Sequence, residues 1–229
     1  MASPKLRAAG AAALALFLIA PQVAGSAQAL PTPQAVPVSG APEPGPRGPA
    51  SAVIDTFDTA LLGVMKQAAK LGYEGRAKQL TPAIDQAFNI PLMTRIIVGS
   101  PWNEWTDDQR NHIIDAFGKL IIATYARRFD GYSGEDFVNN GEKPVANGGL
   151  LVTTELTRPK DSAVTLTYLM RDGDNGPQIV DVFLTGTISE LATRRSEFSA
   201  VLQQGGYQAL LTALEKKSAA QVAGGADAQ

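Results

Sequence analysis

The sequence predicts an α+β domain in which a four-stranded antiparallel sheet carries helices packed on one face. Three observations carry this. Apolar residues recur at helical spacing up to about residue 128. They alternate with polar ones between about 136 and 184, and helical spacing returns after 189. Helices segregated on either side of a β-meander define the class.

Residues 51–71 read as an amphipathic helix, with Ile54, Phe57, Leu61, Met65 and Ala69 at helical spacing and Gly72 as the stop. Thr81-Pro82 reads as the start of a second helix, with Thr as N-cap and Pro in the first turn, broken at Asn89-Ile90-Pro91. A short apolar helix over 92–98 ends at Gly99-Ser100-Pro101. Thr106-Asp107-Asp108-Gln109 is a capping box with two acids in the positively polarised first turn. The helix it opens carries an apolar stripe of Ile113, Ile114, Phe117, Leu120, Ile121, Thr124 and Tyr125, and closes on Arg127 and Arg128. Strands are expected over 136–142, 150–157, 163–171 and 178–184, with Asp172-Gly173-Asp174-Asn175-Gly176 turning the chain between the last two. Helices over 189–204 and 207–217 follow, separated by Gly205-Gly206.

The termini have a different composition. Residues 1–29 have the form of a secretory signal: Lys5 and Arg7, an apolar run from Ala8 to Ala20, then Ala27-Gln28-Ala29 as a small-residue cleavage pattern. The run is shorter than the roughly 20 residues a membrane span needs. Residues 30–50 are a Pro-rich linker, and the Ala/Gly/Gln-rich stretch 218–229 is expected to be a disordered tail. The folded domain is then 51–217.

Composition removes much catalytic chemistry. The 229 residues include no Cys and one His, and 20 basic residues stand against 22 acidic ones, for a net charge of −2. That excludes disulfides, thiolate metal sites, a Cys nucleophile and any site needing two imidazoles, and it leaves no basic footprint for nucleic acid. His112 has no nucleophile elbow beside it. Asp107-Asp108 caps a helix, Glu135-Asp136 enters a strand, and Asp172 and Asp174 sit in a turn without the EF-hand spacing. Gly131-Tyr132-Ser133-Gly134 precedes a strand, so it is no phosphate loop. No residue group calls for a metal or cofactor.

A set of phrases has another source. Gly99-Ser100-Pro101-Trp102-Asn103-Glu104-Trp105-Thr106 with Gln109 enters the capped helix, and Phe117 with Thr124-Tyr125-Ala126-Arg127-Arg128-Phe129, Tyr132, Gly134 and Phe137 leaves it. Val152-Thr153-Thr154 follows, then Ile179-Val180-Asp181-Val182 with Gly186, Ile188 and Ser189, then Arg195, Phe198, Gly205-Gly206 and Leu210. In order and spacing this resembles the MlaC (toluene-tolerance) family of periplasmic phospholipid-binding proteins across residues 53–217. Leu71-Gly72-Tyr73-Glu74-Gly75-Arg76, Phe129-Asp130-Gly131-Tyr132 and Ser189-Glu190-Leu191-Ala192 with Arg194-Arg195-Ser196-Glu197-Phe198 are similar to its hopanoid-associated HpnM subgroup.

The resemblance implies a soluble, monomeric periplasmic carrier that is not an enzyme and uses no cofactor. Its fold would be a curved sheet with helices around a lipid cavity, like nuclear transport factor 2. The partners implied are a membrane lipid (phospholipid or hopanoid), an inner-membrane transporter complex and an outer-membrane or RND-type partner. Two acyl chains or one polycyclic hydrocarbon gain ~20 kcal/mol from leaving water, which demands an enclosed site. Candidate lining is Phe117, Leu120, Ile121 and Tyr125 on the capped helix, Val152, Val164, Leu166, Tyr168, Val180 and Val182 on strands, and Ile96, Ile97 and Ile188 near the mouth. Arg127, Arg128 and Arg195 are candidates for a cavity lip. Periodicity does not separate a cavity wall from a filled core. A partner-binding or small-solute-binding module with a filled core, or a hydrolase using His112 or a carboxylate pair, fits the same residues. A carrier must also move to release its cargo, and Gly99, Gly186 and Gly205-Gly206 are the candidate hinges.

Overall fold

Alternation of apolar and polar residues in the middle of the chain produces an antiparallel meander. In the computed structural model, which describes residues 45–226 except 147, 160, 175 and 186, the strands are β1 (Asp136–Val145), β2 (Gly149–Arg158), β3 (Asp161–Gly173), β4 (Gly176–Leu184) and β5 (Ile188–Ser189). They pair in sequence order, β1-β2-β3-β4-β5. The sheet has one strand more than expected, because Phe183 and Leu184 pair back onto Ser189 and Ile188 before the next helix starts. The expected signal peptide, most of the expected linker, and Gly186 lie outside the described residues.

Three register irregularities interrupt the ladders, one of them between β2 and β3 at Leu156 and Arg158. The β1–β2 register shifts between Asn139 and Glu142, around Gly141 at φ 87°. The β3–β4 register shifts between Leu169 and Met170, opposite Asp181 and Ile179. Extra residues of this kind bend a strand and increase its twist. One face buries Val152, Thr154, Leu156, Leu166, Tyr168, Met170, Val182 and Leu184 beneath the helices. On the other, Thr153 and Thr167 lie directly opposite each other, with hydroxyls 3.3 Å apart.

The helices are α1 (Pro49–Lys66), α2 (Ala68–Ala87), α3 (Ile90–Val98), α4 (Asp107–Arg128) and α5 (Glu190–Ala226), with a 3₁₀ turn at Ser100–Glu104. Pro49 opens α1 at a position that lacks a hydrogen-bond partner in any helix, so the first helix begins two residues before the expected domain start at 51. The expected first helix is interrupted at Gln67 and turned sharply at Gly72, φ 60° and ψ −176°. Thr81-Pro82 does not start a helix: Pro82 lies inside α2, and the Thr81 hydroxyl donates back to Ala77 O at 2.8 Å. The buried series Tyr73, Arg76, Leu80, Ile84 and Ala87 runs through the proline, so packing of a continuous stripe outweighs a local start signal.

α4 starts on the expected capping box. Thr106 Oγ1 accepts the Gln109 amide at 3.2 Å, and Gln109 Oε1 accepts the Thr106 amide at 3.0 Å. Its other end is held by a residue far away in sequence. Arg76, 4 % exposed, donates from Nε to Ala126 O at 2.8 Å, placing a cation on the last-turn carbonyls.

α5 folds back on itself at Gly205 and Gly206, the second at φ 58°. Tyr207 meets Trp105 and His112 at the start of α4, whereas Gly224 lies against Arg127 at its end. An ion pair between Lys217 and Glu197 joins the two arms. The second arm continues helical to Ala226, past Ser218, where the sequence reading placed a disordered tail; Ala is the strongest helix former.

Candidate functional site

The site is built where α1, the end of α2 and the second half of α4 meet the buried sheet face. Phe57, Phe88 and Tyr125 form a mutual edge-to-face cluster, with centroids 5.3, 5.4 and 5.7 Å apart. Phe129 stacks on Tyr125 at 5.6 Å, and Phe137 of β1 lies beyond it. Phe88 is tied to the sheet by a bridge to Ile179 and by the Asn89 amide donating to Ile179 O at 2.9 Å. Tyr125 remains half-buried, yet desolvation raises its phenol well above the ordinary value of 10.0.

A polar group sits in this interior. Asp58 is 4 % exposed on the inward stripe of α1, between Ile54 and Leu61, and neither carboxyl oxygen has a hydrogen-bond partner. Burial, with a smaller contribution from the Asp55 charge, pushes it up to about 8. Its charge acts on Tyr125 and Tyr168, so these three groups are neighbours. The Tyr168 hydroxyl lies beside Thr154, whose own Oγ1 is buried without a regular hydrogen bond.

The α5 end of the interior is charged. Glu190 is buried, and desolvation raises it to about 7 against the opposing pull of Arg194 and Arg128. Arg194 Nη1 donates to Glu197 Oε2 at 3.0 Å. Asp181 fixes this end of α5 to the sheet. Its Oδ1 accepts the Val182 and Leu191 amides at 2.8 and 2.9 Å, and its Oδ2 accepts Ser189 Oγ at 2.5 Å. Ser189 Oγ in turn accepts the Ala192 amide at 2.9 Å.

The expected lining falls into three groups. Ile97, Phe117, Leu120, Ile121, Val152, Leu166, Tyr168, Val180 and Val182 are buried, while Val164 and Tyr125 are half-buried. Ile188 is 48 % exposed on β5, on the outside of the molecule. Ile96 lies with the expected lip residue Arg195 in a separate recess of about 320 Å³ bounded by α3 and the 3₁₀ turn. The expected lip is not one cluster. Arg127 lies under Gly224, and Arg128 faces Glu190 and Tyr125.

Sequence reading missed Phe57 and Phe88 as wall and Asp58 entirely, and took Thr154 only as part of the Val152-Thr153-Thr154 phrase. The signal for Asp58 was present: a carboxylate three residues before Leu61 and four after Ile54, inside an apolar stripe. His112 is exposed, with Nδ1 3.1 Å from the Tyr207 hydroxyl. The Asp136 carboxylate accepts the Phe137 amide, and Glu135 accepts that of Ser133. Among the described residues no group of three or more His, Cys, Asp or Glu is placed to hold a metal.

One further recess, about 980 Å³, opens between α2, α3, α4 and the β3–β4 turn. Phe88, Ile90, Leu92, Ile114 and Ile122 give it an apolar floor, and Asp85, Asp115, Asp172 and Asp174 are on its rim with Lys119 and Arg95.

A curved antiparallel sheet covered on one face by helices, with an aromatic cluster between the two layers, defines the class: a small α+β domain. The chain belongs to the MlaC family, whose family model, described as MlaC protein, matches residues 55–216. Among solved structures its fold is similar to that of a phospholipid-binding protein from Ralstonia solanacearum in complex with a phospholipid. The TM-score is 0.66 at 21% sequence identity, covering 76% of this chain and 98% of that one. No curated protein matches the chain in sequence.

Proposed function

We propose that this protein binds a membrane lipid, phospholipid or hopanoid, with its hydrocarbon part between the helices and the curved sheet, and shuttles it through the periplasm between membrane complexes. The carrying observation is the cluster of Phe57, Phe88 and Phe129 around Tyr125, an aromatic surface between the helices and the curved sheet. Family membership and the phospholipid-bound neighbour of like fold support the same reading. Binding rather than bond chemistry suits the residues of the interior, which are apolar or aromatic apart from a few polar groups.

In this reading Phe117, Leu120, Ile121, Tyr125, Val152, Val164, Leu166, Tyr168, Val180 and Val182 line the cavity, joined by Phe57 and Phe88. Arg128 stands at the charged end, where an anionic head group would lie. Residues 1–29 direct export and are removed. No helix among the described residues is long and apolar enough to cross a membrane. The test is transfer of a fluorescent phospholipid from donor to acceptor vesicles by the protein lacking residues 1–29. Dose-dependent transfer is expected; no lipid uptake at any protein concentration overturns the reading.

A second reading, a partner-binding or solute-binding module, is favoured by the 980 Å³ recess with its acidic rim. It predicts no extractable lipid and a stable complex with another envelope protein.

A further inference from the structure

The interior contains polar groups that the fold does not use. Asp58 of α1 has two carboxyl oxygens without partners, and Thr154 of β2, at 0 % exposure, has its hydroxyl against that of Tyr168. Tyr168 of β3 lies beside Thr154, and Tyr125 of α4 completes the group. Four elements thus bring hydroxyls and a carboxyl to one place inside an apolar interior. Buried polar atoms without partners are destabilising, and native folds contain few of them. Leu at 58 would continue the Ile54–Phe57–Leu61 stripe, and Val at 154 would continue the row of Val152 and Leu156. Thr154 has the Tyr168 hydroxyl beside it, but the packing alone gives no reason for Asp58.

We propose that Asp58, Thr154, Tyr168 and Tyr125 form a polar subsite for an uncharged hydroxyl carried by the bound lipid. The inference rests on the lipid-binding reading and names which lipids the interior prefers. The chemistry is complementary: a carboxylic acid and three hydroxyls both donate and accept, as an alcohol does. Asp58 is held in its neutral acid form at pH 7 by burial and by Asp55 on its own helix. Among the described residues, the charge acting on it is that of Asp55. Around Tyr125 the charged groups are Arg128, at the end of the same helix, and Glu190 of α5. Arg76, the buried cation of α2, is taken by the Ala126 and Ala68 carbonyls. A phosphate at this subsite would meet the Asp58 carboxyl, while Arg128, the cation beside Tyr125, already faces Glu190. An alcohol meets its partners.

The test is a displacement assay on the protein lacking residues 1–29. A bound fluorescent phospholipid is competed with 1-hexadecanol, its methyl ether 1-methoxyhexadecane, and phosphatidylglycerol vesicles. The wild type is expected to prefer the alcohol over the ether by about tenfold, the size of one buried hydrogen bond. Asp58→Asn, which keeps a donor and an acceptor, retains the preference. Asp58→Leu and Thr154→Val reduce it, and Asp58→Leu raises the Tm of the delipidated protein. Equal affinity for alcohol and ether in the wild type overturns the inference while leaving lipid binding intact. So does a preference that survives Asp58→Leu, or an Asp58→Leu variant less stable than the wild type. Failure of all three competitors and of the fluorescent phospholipid to bind overturns the lipid reading itself.

Discussion

The Asp181 carboxylate accepts the Leu191 amide at 2.9 Å, so a residue of β4 caps the helix that carries Arg194 and Glu190. The same carboxylate takes Ser189 Oγ and the Val182 amide, and Ser189 holds Ala192. The spaced pair Asp181 and Ser189 is therefore one structural device: it docks a helix N-terminus onto the sheet edge.

Asp181→Ala removes three hydrogen bonds and leaves buried amide donors unpaired, a loss of about 3 kcal/mol. For a domain of this size that is a Tm decrease of roughly 6–12 °C. Asp181→Asn keeps the acceptor for Leu191 and should lose less than half as much. Thermal unfolding by circular dichroism checks both, and an Ala variant as stable as the wild type contradicts the capping role.

Asp58 ties stability to pH. Its folded value of about 8 stands above the ordinary 3.8, so the folded protein binds this proton more tightly than the unfolded chain. The associated stability is fully present below pH 3.8 and is lost as pH rises through about 8. Within that window the slope is about 1.4 kcal/mol per pH unit for one proton. Glu190, raised to about 7, and Asp181, also raised, act in the same direction. Asp58→Asn should flatten the decline in stability of delipidated protein between pH 5 and pH 8 by about one proton, read by denaturant unfolding at several pH values. A slope unchanged by the substitution contradicts the buried-acid assignment.

Gly206 and Gly63 make a contrasting pair. Each has open space where a Cβ would stand, but Gly206 has φ 58° and ψ −145° at the α5 reversal, while Gly63 lies inside α1. Gly206→Ala is expected to cost about 1–3 kcal/mol through backbone strain alone. Gly63→Ala is expected to gain about 0.5–1 kcal/mol from helix propensity. Paired chemical denaturation curves measure both; equal effects would contradict the assigned backbone conformations.

Much of the fold was legible because its signals were local. The Thr106–Gln109 capping box, the Gly205-Gly206 break and the alternation of Leu166, Tyr168 and Met170 each follow from residues near one another in sequence. Thr81-Pro82 misled for the same reason. A local start signal was overridden by the stripe from Tyr73 to Ala87, whose partners lie elsewhere in the chain. β5 was too short, at two residues, to show a period. The interior was harder to read. Helical and strand periodicity mark which residues face inward, and most of the expected lining does. They do not show which inward residues meet, so the Phe57–Phe88–Tyr125 cluster needed tertiary structure. Ile188 was placed at the mouth because it is apolar, but its two-residue strand turns it outward. Asp58 was visible as a carboxylate in an apolar stripe, and only its missing partners showed what it meant.

The central claim is that the space around Tyr125 holds lipid. Native mass spectrometry of the protein lacking residues 1–29, purified from cells without added lipid, tests it most directly. The account predicts a species heavier than the polypeptide by the mass of one membrane lipid, released on denaturation and identified by fragmentation. A single species at the polypeptide mass, unchanged after incubation with phosphatidylglycerol vesicles, would contradict it.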